Sequence, residues 1–102
     1  DIPSSGTGLG SSSSFTVGLL HALHEYRSKT VNANSLAQEA CHIEIDLCKE
    51  PIGKQDQYAA AFGGMNFIEF GADESVMVTP ISASAKTMQD LQAHLLVLYL
   101  EY

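Results

Sequence analysis

Basic side chains are scarce in this chain of 102 residues: five Lys and Arg stand against twelve Asp and Glu, a net charge of −7. That excludes nonspecific nucleic-acid binding, which needs a cationic surface, and it fits poorly with docking on anionic membranes. Cysteine is scarce too. Cys41 and Cys48 lie on what reads as one helix, about 10.5 Å apart along its axis. They are too far apart for a disulfide, and reduced thiols of a cytoplasmic protein are expected. No apolar run reaches the length of a membrane span, and no signal-peptide pattern opens the chain. Internal repeats and heptads are missing as well, and the length suits one small domain.

What is present starts at the first residues. Pro3-Ser4-Ser5-Gly6-Thr7-Gly8-Leu9-Gly10-Ser11-Ser12-Ser13-Ser14 is glycine- and serine-rich and runs straight into a helix-forming stretch. A run of this composition is often a flexible linker. Two details favour a phosphate cradle instead. Leu9 sits between Gly8 and Gly10, where a linker needs no apolar anchor. Phe15, Leu19, Ala22, Leu23 and Tyr26 then recur at helical spacing and predict a buried helix. A glycine-rich loop at a helix start brings backbone N–H groups and the positive end of the helix dipole to an anion. No Gly-Lys-Ser/Thr follows, so this is not the common P-loop. With so few cations, a phosphate site here must use backbone N–H groups and a divalent metal.

Along the chain, the spacing predicts a helix over 12–27 and a polar connection over 29–34. A second helix follows, opened by the capping-box pair Ser35 and Gln38, with Leu36, Ala40, Ile43 and Leu47 as its stripe. Pro51-Ile52-Gly53 is a turn. A short helix over 55–62 is stopped by Gly63-Gly64. Strands are expected over 65–70 and 75–79 around a hairpin loop, then a helix over 84–93 and a final apolar strand over 95–102. The arrangement is α+β, with three helices covering one face of a sheet.

Glu44 lies beside the apolar stripe of the second helix. It reads either as a solvated helix glutamate or as a part-buried carboxylate that needs a cation. Asp56 opens the short helix, where it either stabilises the dipole or serves as a general base beside a substrate hydroxyl. Lys54 could hold such a carboxylate ionised, contact a substrate phosphate or be solvated. His21, His24, His42 and His94 form no zinc pattern with the cysteines and read as surface or packing residues. No Ser/His/Asp triad is visible, and Ser12 is not in a nucleophile elbow.

Three segments together resemble a known family. The loop from Pro3 to Ser13 is similar to the central ATP-binding motif of the GHMP kinases, small-molecule kinases of galactose, homoserine, mevalonate and phosphomevalonate. Pro51-Ile52-Gly53-Lys54-Gln55-Asp56-Gln57-Tyr58-Ala59-Ala60-Ala61-Phe62-Gly63-Gly64 resembles the segment with the family's catalytic aspartate. Gly64-Met65-Asn66-Phe67-Ile68-Glu69-Phe70, with His42-Ile43-Glu44-Ile45-Asp46, is most similar to the bacterial heptose kinases within it.

The resemblance implies part of an N-terminal lobe of the ribosomal protein S5 domain 2-like fold, with helices on one face of a mixed sheet. It also implies ATP and Mg²⁺ as cofactors. Gly6, Thr7, Gly8, Leu9, Gly10, Ser11, Ser12 and Ser13 would wrap the ATP phosphates. Ser12 and Glu44 would ligate Mg²⁺, and Asp56 would receive or orient the sugar hydroxyl proton. Gly53, Lys54 and Tyr58 would touch substrate. The implied reaction is phosphorylation of the anomeric hydroxyl of D-glycero-D-manno-heptose 7-phosphate. Alternatives are fucose or galactose as the sugar, a non-catalytic nucleotide-binding module, or a structural domain with a serine-rich linker. By the same comparison, residues 1–94 are a partial ATP-binding lobe and 95–102 lead into a second lobe. Family motifs expected before Asp1 and after Tyr102 are missing, so the segment alone is expected to have little or no kinase activity.

Overall fold

The computed structural model describes residues 9–98. The chain divides into two compact units, residues 1–63 and 64–102. The architecture is α+β: α1 (Ser11–Tyr26), α2 (Ala33–Cys41), a π-helical segment (His42–Leu47), α3 (Gln55–Phe62), β1 (Asn66–Phe70), β2 (Val76–Pro80) and α4 (Ala85–Ala93).

In the first unit, α1, α2 and α3 pack on one another. Val17, Leu36 and Ala40 form the buried cluster, with Leu20, Val31, Ala60 and Ala61 against it. The inward face of α1 therefore carries Ser13, Val17 and Leu20, at helical spacings of four and three. This corrects the expected stripe: Phe15 is 71 % exposed and Tyr26 88 % exposed. Both faces of α1 have helical periodicity, and periodicity alone does not say which face meets a partner. His24 Nε2 and Glu39 Oε1, 2.8 Å apart, tie α1 to α2.

The cap of α2 is Asn32, whose side-chain oxygen accepts from the Ser35 N–H at 2.7 Å. Ser35 is thus inside the first turn and is not its cap. Ala37, Ala40 and Glu44 follow one α-helical face inward. The ladder then widens: the Cys48 N–H donates to the Ile43 carbonyl five residues back, at 2.8 Å. That change of register turns Leu47 outward, at 64 % exposed, where a continuous helix would have kept it on the stripe. Both cysteines are free thiols.

In the second unit, β1 and β2 form an antiparallel pair with Ile68 opposite Val78 and Phe70 opposite Val76. Asn66, Ile68, Val76 and Val78 are half-buried on one face, as the two-residue period requires. The loop between the strands is held by Asp73, whose Oδ1 accepts from Ser75 Oγ at 2.6 Å and Ser75 N at 3.2 Å. Ser84 caps α4 by accepting from the Thr87 N–H at 3.1 Å. Among the described residues the sheet is this two-stranded antiparallel hairpin. A strand needs a neighbour to complete its ladder, and residues 95–98 have no strand pairing. The rest of that expected strand lies outside the described residues.

Candidate active site

Three elements of the helical unit converge at the start of α1. Gly10 precedes the helix in a left-handed conformation, φ 75°, and as the N-cap residue it supplies no side-chain cap. The N–H groups of Ser11, Ser12 and Ser13 therefore face outward along the axis without intrahelical partners. Asp56, in the first turn of α3, lies against Gly10: a Cβ there would sit 3.4 Å from Asp56 Cγ and Oδ2. Glycine leaves the space that brings loop and carboxylate together.

Behind this front is a buried polar centre. Glu44 is 4 % exposed and Gln57 0 %. Ser12 Oγ donates to Glu44 Oε2 at 2.9 Å, and Gln57 Nε2 donates to Glu44 Oε1 at 3.2 Å. The structure thus joins Ser12 and Glu44, 32 positions apart, and Glu44 is a buried carboxylate rather than a solvated one.

Two clefts meet at Asp56. One, of about 230 Å³, is lined by Leu9, Gly10, Ser14, Asp56, Ala59 and Ala60. The other, of about 290 Å³, is lined by Ile52, Gly53, Gln55 and Asp56. Asp56, Ala59 and Ala60 share a helix face because they are three and four residues apart. Tyr58 is two positions from Asp56 and points elsewhere. It is 3 % exposed, and its ring stacks on Phe62 with centroids 6.3 Å apart. Lys54 lines neither cleft. Its charge acts on the Cys41 thiol and the Tyr58 hydroxyl. Burial pushes both of those groups up, and the Lys54 ammonium opposes the rise; at Cys41, Glu44 and Asp46 add to it.

Gly6, Thr7 and Gly8 lie outside the described residues. Ser11 and Ser12 are exposed at the helix start, whereas Ser13 is buried at 3 %. Ser14, on the loop-side cleft, and Gln57, bonded to Glu44, are site residues that the sequence does not single out. The spacing of Gly10 and Ser14 by four was the available signal for the first. For Gln57 it was an amide three and four residues before the core alanines Ala60 and Ala61. Among the described residues no three His, Cys, Asp or Glu side chains gather as a metal cage. Glu44 and Ser12 instead bring one buried carboxylate and one hydroxyl together, oxygen donors of the type that hard divalent cations accept.

The sequence profile of the GHMP kinases N terminal domain matches residues 1–64. The chain belongs to the GHMP kinases. This GHMP kinase chain is 39 % identical over 93 residues to the D-glycero-alpha-D-manno-heptose 7-phosphate kinase of Campylobacter jejuni subsp. jejuni serotype O:2. The match covers 91 % of the chain and 27 % of that relative. The crystal structure of a D-glycero-D-manno-heptose 1-phosphate kinase from Bacteriodes thetaiotaomicron superposes with a TM-score of 0.85 at 38 % identity. It is matched over 91 % of the chain and 30 % of its own length. The chain thus spans less than a third of either relative. No helix among the described residues is long and apolar enough to cross a membrane.

Proposed function

We propose that this chain is the phosphate-loop and catalytic-aspartate segment of a cytoplasmic, ATP-dependent sugar kinase, and that its substrate is D-glycero-D-manno-heptose 7-phosphate, phosphorylated on the anomeric hydroxyl. The observation that carries the reading is the seating of Asp56 against Gly10 at the start of α1, with a cleft on either side. A phosphoryl-transfer site needs held phosphates and a carboxylate beside the attacking hydroxyl. The loop-side cleft suits the phosphates, and the cleft beside Ile52 and Gly53 suits the sugar. The two relatives, named as kinases of heptose phosphates, support the sugar class.

In this reading the first-turn N–H groups of α1 bind the ATP phosphates. Ser12 and Glu44 would hold Mg²⁺, which when bound offsets charge on the phosphate oxygens. Asp56 orients the sugar hydroxyl and accepts its proton. Gly53 leaves the sugar room, since a Cβ there would meet nothing within 4 Å.

The test uses the intact protein. Asp56→Asn should lower phosphorylation of heptose 7-phosphate by about 10³-fold, while calorimetric, Mg²⁺-dependent ATP binding survives. Retained phosphorylation would remove Asp56 from the chemistry. Absence of nucleotide binding in the folded parent would remove the kinase reading altogether. A higher kcat/KM for fucose or galactose would replace the sugar.

A further inference from the structure

Gln57 occupies an unexpected place. It is 0 % exposed, among the alanines of α3, and its Oε1 is a buried oxygen with no hydrogen-bond partner among the described residues. An apolar side chain of similar volume would fill the position without an orphaned acceptor. What the amide supplies is one bond, from Nε2 to Glu44 Oε1 at 3.2 Å. Turning the amide over would set its oxygen against the carboxylate and lose that donor, so Glu44 fixes the orientation of Gln57.

The bond has a consequence for Glu44. One carboxylate oxygen, Oε1, is engaged by the buried amide. The other, Oε2, faces Ser12 Oγ at 2.9 Å. A cation approaching from the Ser12 side meets a carboxylate with one oxygen to give. Mg²⁺ is small, octahedral and suited to single-oxygen carboxylate ligation. Ca²⁺ is larger, takes more oxygens and commonly uses both oxygens of a carboxylate.

We infer that Gln57 is a positioning residue that restricts Glu44 to one-oxygen ligation and so sets the preference of the site for Mg²⁺ over Ca²⁺. The inference rests on the reading of Ser12 and Glu44 as cation ligands. It adds a residue that touches neither nucleotide nor metal but decides which ion the carboxylate accepts. Outer partners of metal ligands alter metal affinity by roughly 10–100-fold when removed.

The experiment is calorimetric binding of a non-hydrolysable ATP analogue, AMP-PNP, to the intact protein in MgCl₂ or in CaCl₂. Gln57→Met removes the donor at nearly constant volume. Mg²⁺-supported affinity should fall about tenfold while Ca²⁺-supported affinity holds or rises, narrowing the Mg²⁺/Ca²⁺ ratio by about the same factor. An unchanged ratio, or equal loss with both ions, overturns the inference even if wild-type binding is cation-dependent. Wild-type binding indifferent to both ions would instead remove the cation site, and this role of Gln57 with it. Should Gln57→Met fail to fold, Gln57→Asn keeps an amide but withdraws it from Glu44, and the same ratio decides.

Discussion

In residues 9–63, Val17, Leu36, Ala37, Ala40 and Tyr58 are buried, and so are the polar Ser13, Glu44 and Gln57. In residues 64–98 no described side chain reaches that degree of burial: α4 has none, and the strands alternate between half-buried and exposed. The helical unit draws on long-range contacts. The hairpin unit draws on a ladder between two strands adjacent in sequence, and on a turn and a cap closed within three residues. A buried carboxylate is tolerable only in the first kind of region, where several elements supply donors at once. That is also where the clefts and Asp56 lie.

Large-to-small changes should expose the contrast most strongly. Leu36→Ala, at a 5 % exposed position, is expected to cost about 2–4 kcal/mol in urea unfolding. Leu91→Ala, at a 40 % exposed position on α4, should cost under about 1 kcal/mol, since alanine favours the helix. Equal losses at the two sites would break the comparison.

Next in size are two glycines with similar backbones. Gly10 has φ 75° and Gly64 φ 72°. Alanine at either should cost about 1–2 kcal/mol for the left-handed conformation. A Cβ at Gly64 meets nothing within 4 Å, whereas one at Gly10 comes within 3.4 Å of the Asp56 carboxyl and leaves it no room to move that way. Gly10→Ala should therefore also lower kcat in the intact protein, and Gly64→Ala should leave it unchanged.

Titration should separate the two units by sign. In the helical unit, burial raises the Cys41 thiol above its ordinary value. The folded protein keeps that proton where the unfolded chain releases it. The associated stability is full below the ordinary thiol value and is lost as pH rises through the folded one. Iodoacetamide at mildly alkaline pH should therefore modify exposed Cys48 before Cys41, with urea removing the difference, as read by peptide mass spectrometry.

In the hairpin unit, the hydrogen bonds from Ser75 hold the Asp73 carboxyl below its ordinary value. Its contribution is present above the ordinary carboxylate range and is lost as pH falls through the folded value. Ser75→Ala should shift the Asp73 titration upward by NMR, with the smallest effect on stability of the set.

Much of the local structure was legible because its signals are local. Gln55–Phe62 is the helix that the turn before it and the glycines after it predict. Ser84 caps α4, and the hairpin follows from aromatic and β-branched runs around Gly71. The start of α2 was misread because Ser35 and Gln38 have capping-box spacing, while Asn32, three residues earlier, holds the Ser35 N–H. In the site, Glu44 and Asp56 each read two ways from residue type and position, and the roles of Ser12, Glu44 and Asp56 came from the family resemblance. Tyr58 was expected at the substrate, but two positions along a helix carry a side chain far round from Asp56.

By itself the sequence determined where α1, α3, α4 and the hairpin fall, that a glycine-rich stretch precedes α1, and that a phosphate site could not rest on a cationic surface. Those properties depend on φ/ψ preference, spacing and charge within a few residues. The tertiary structure decided which face of α1 goes inward and that Glu44 is buried. It also decided that Ser12 and Gln57 hold opposite oxygens of that carboxylate. Each of those outcomes depends on groups brought together across 13 to 32 positions, and side-chain spacing within one helix carries no information about what another helix sets against it.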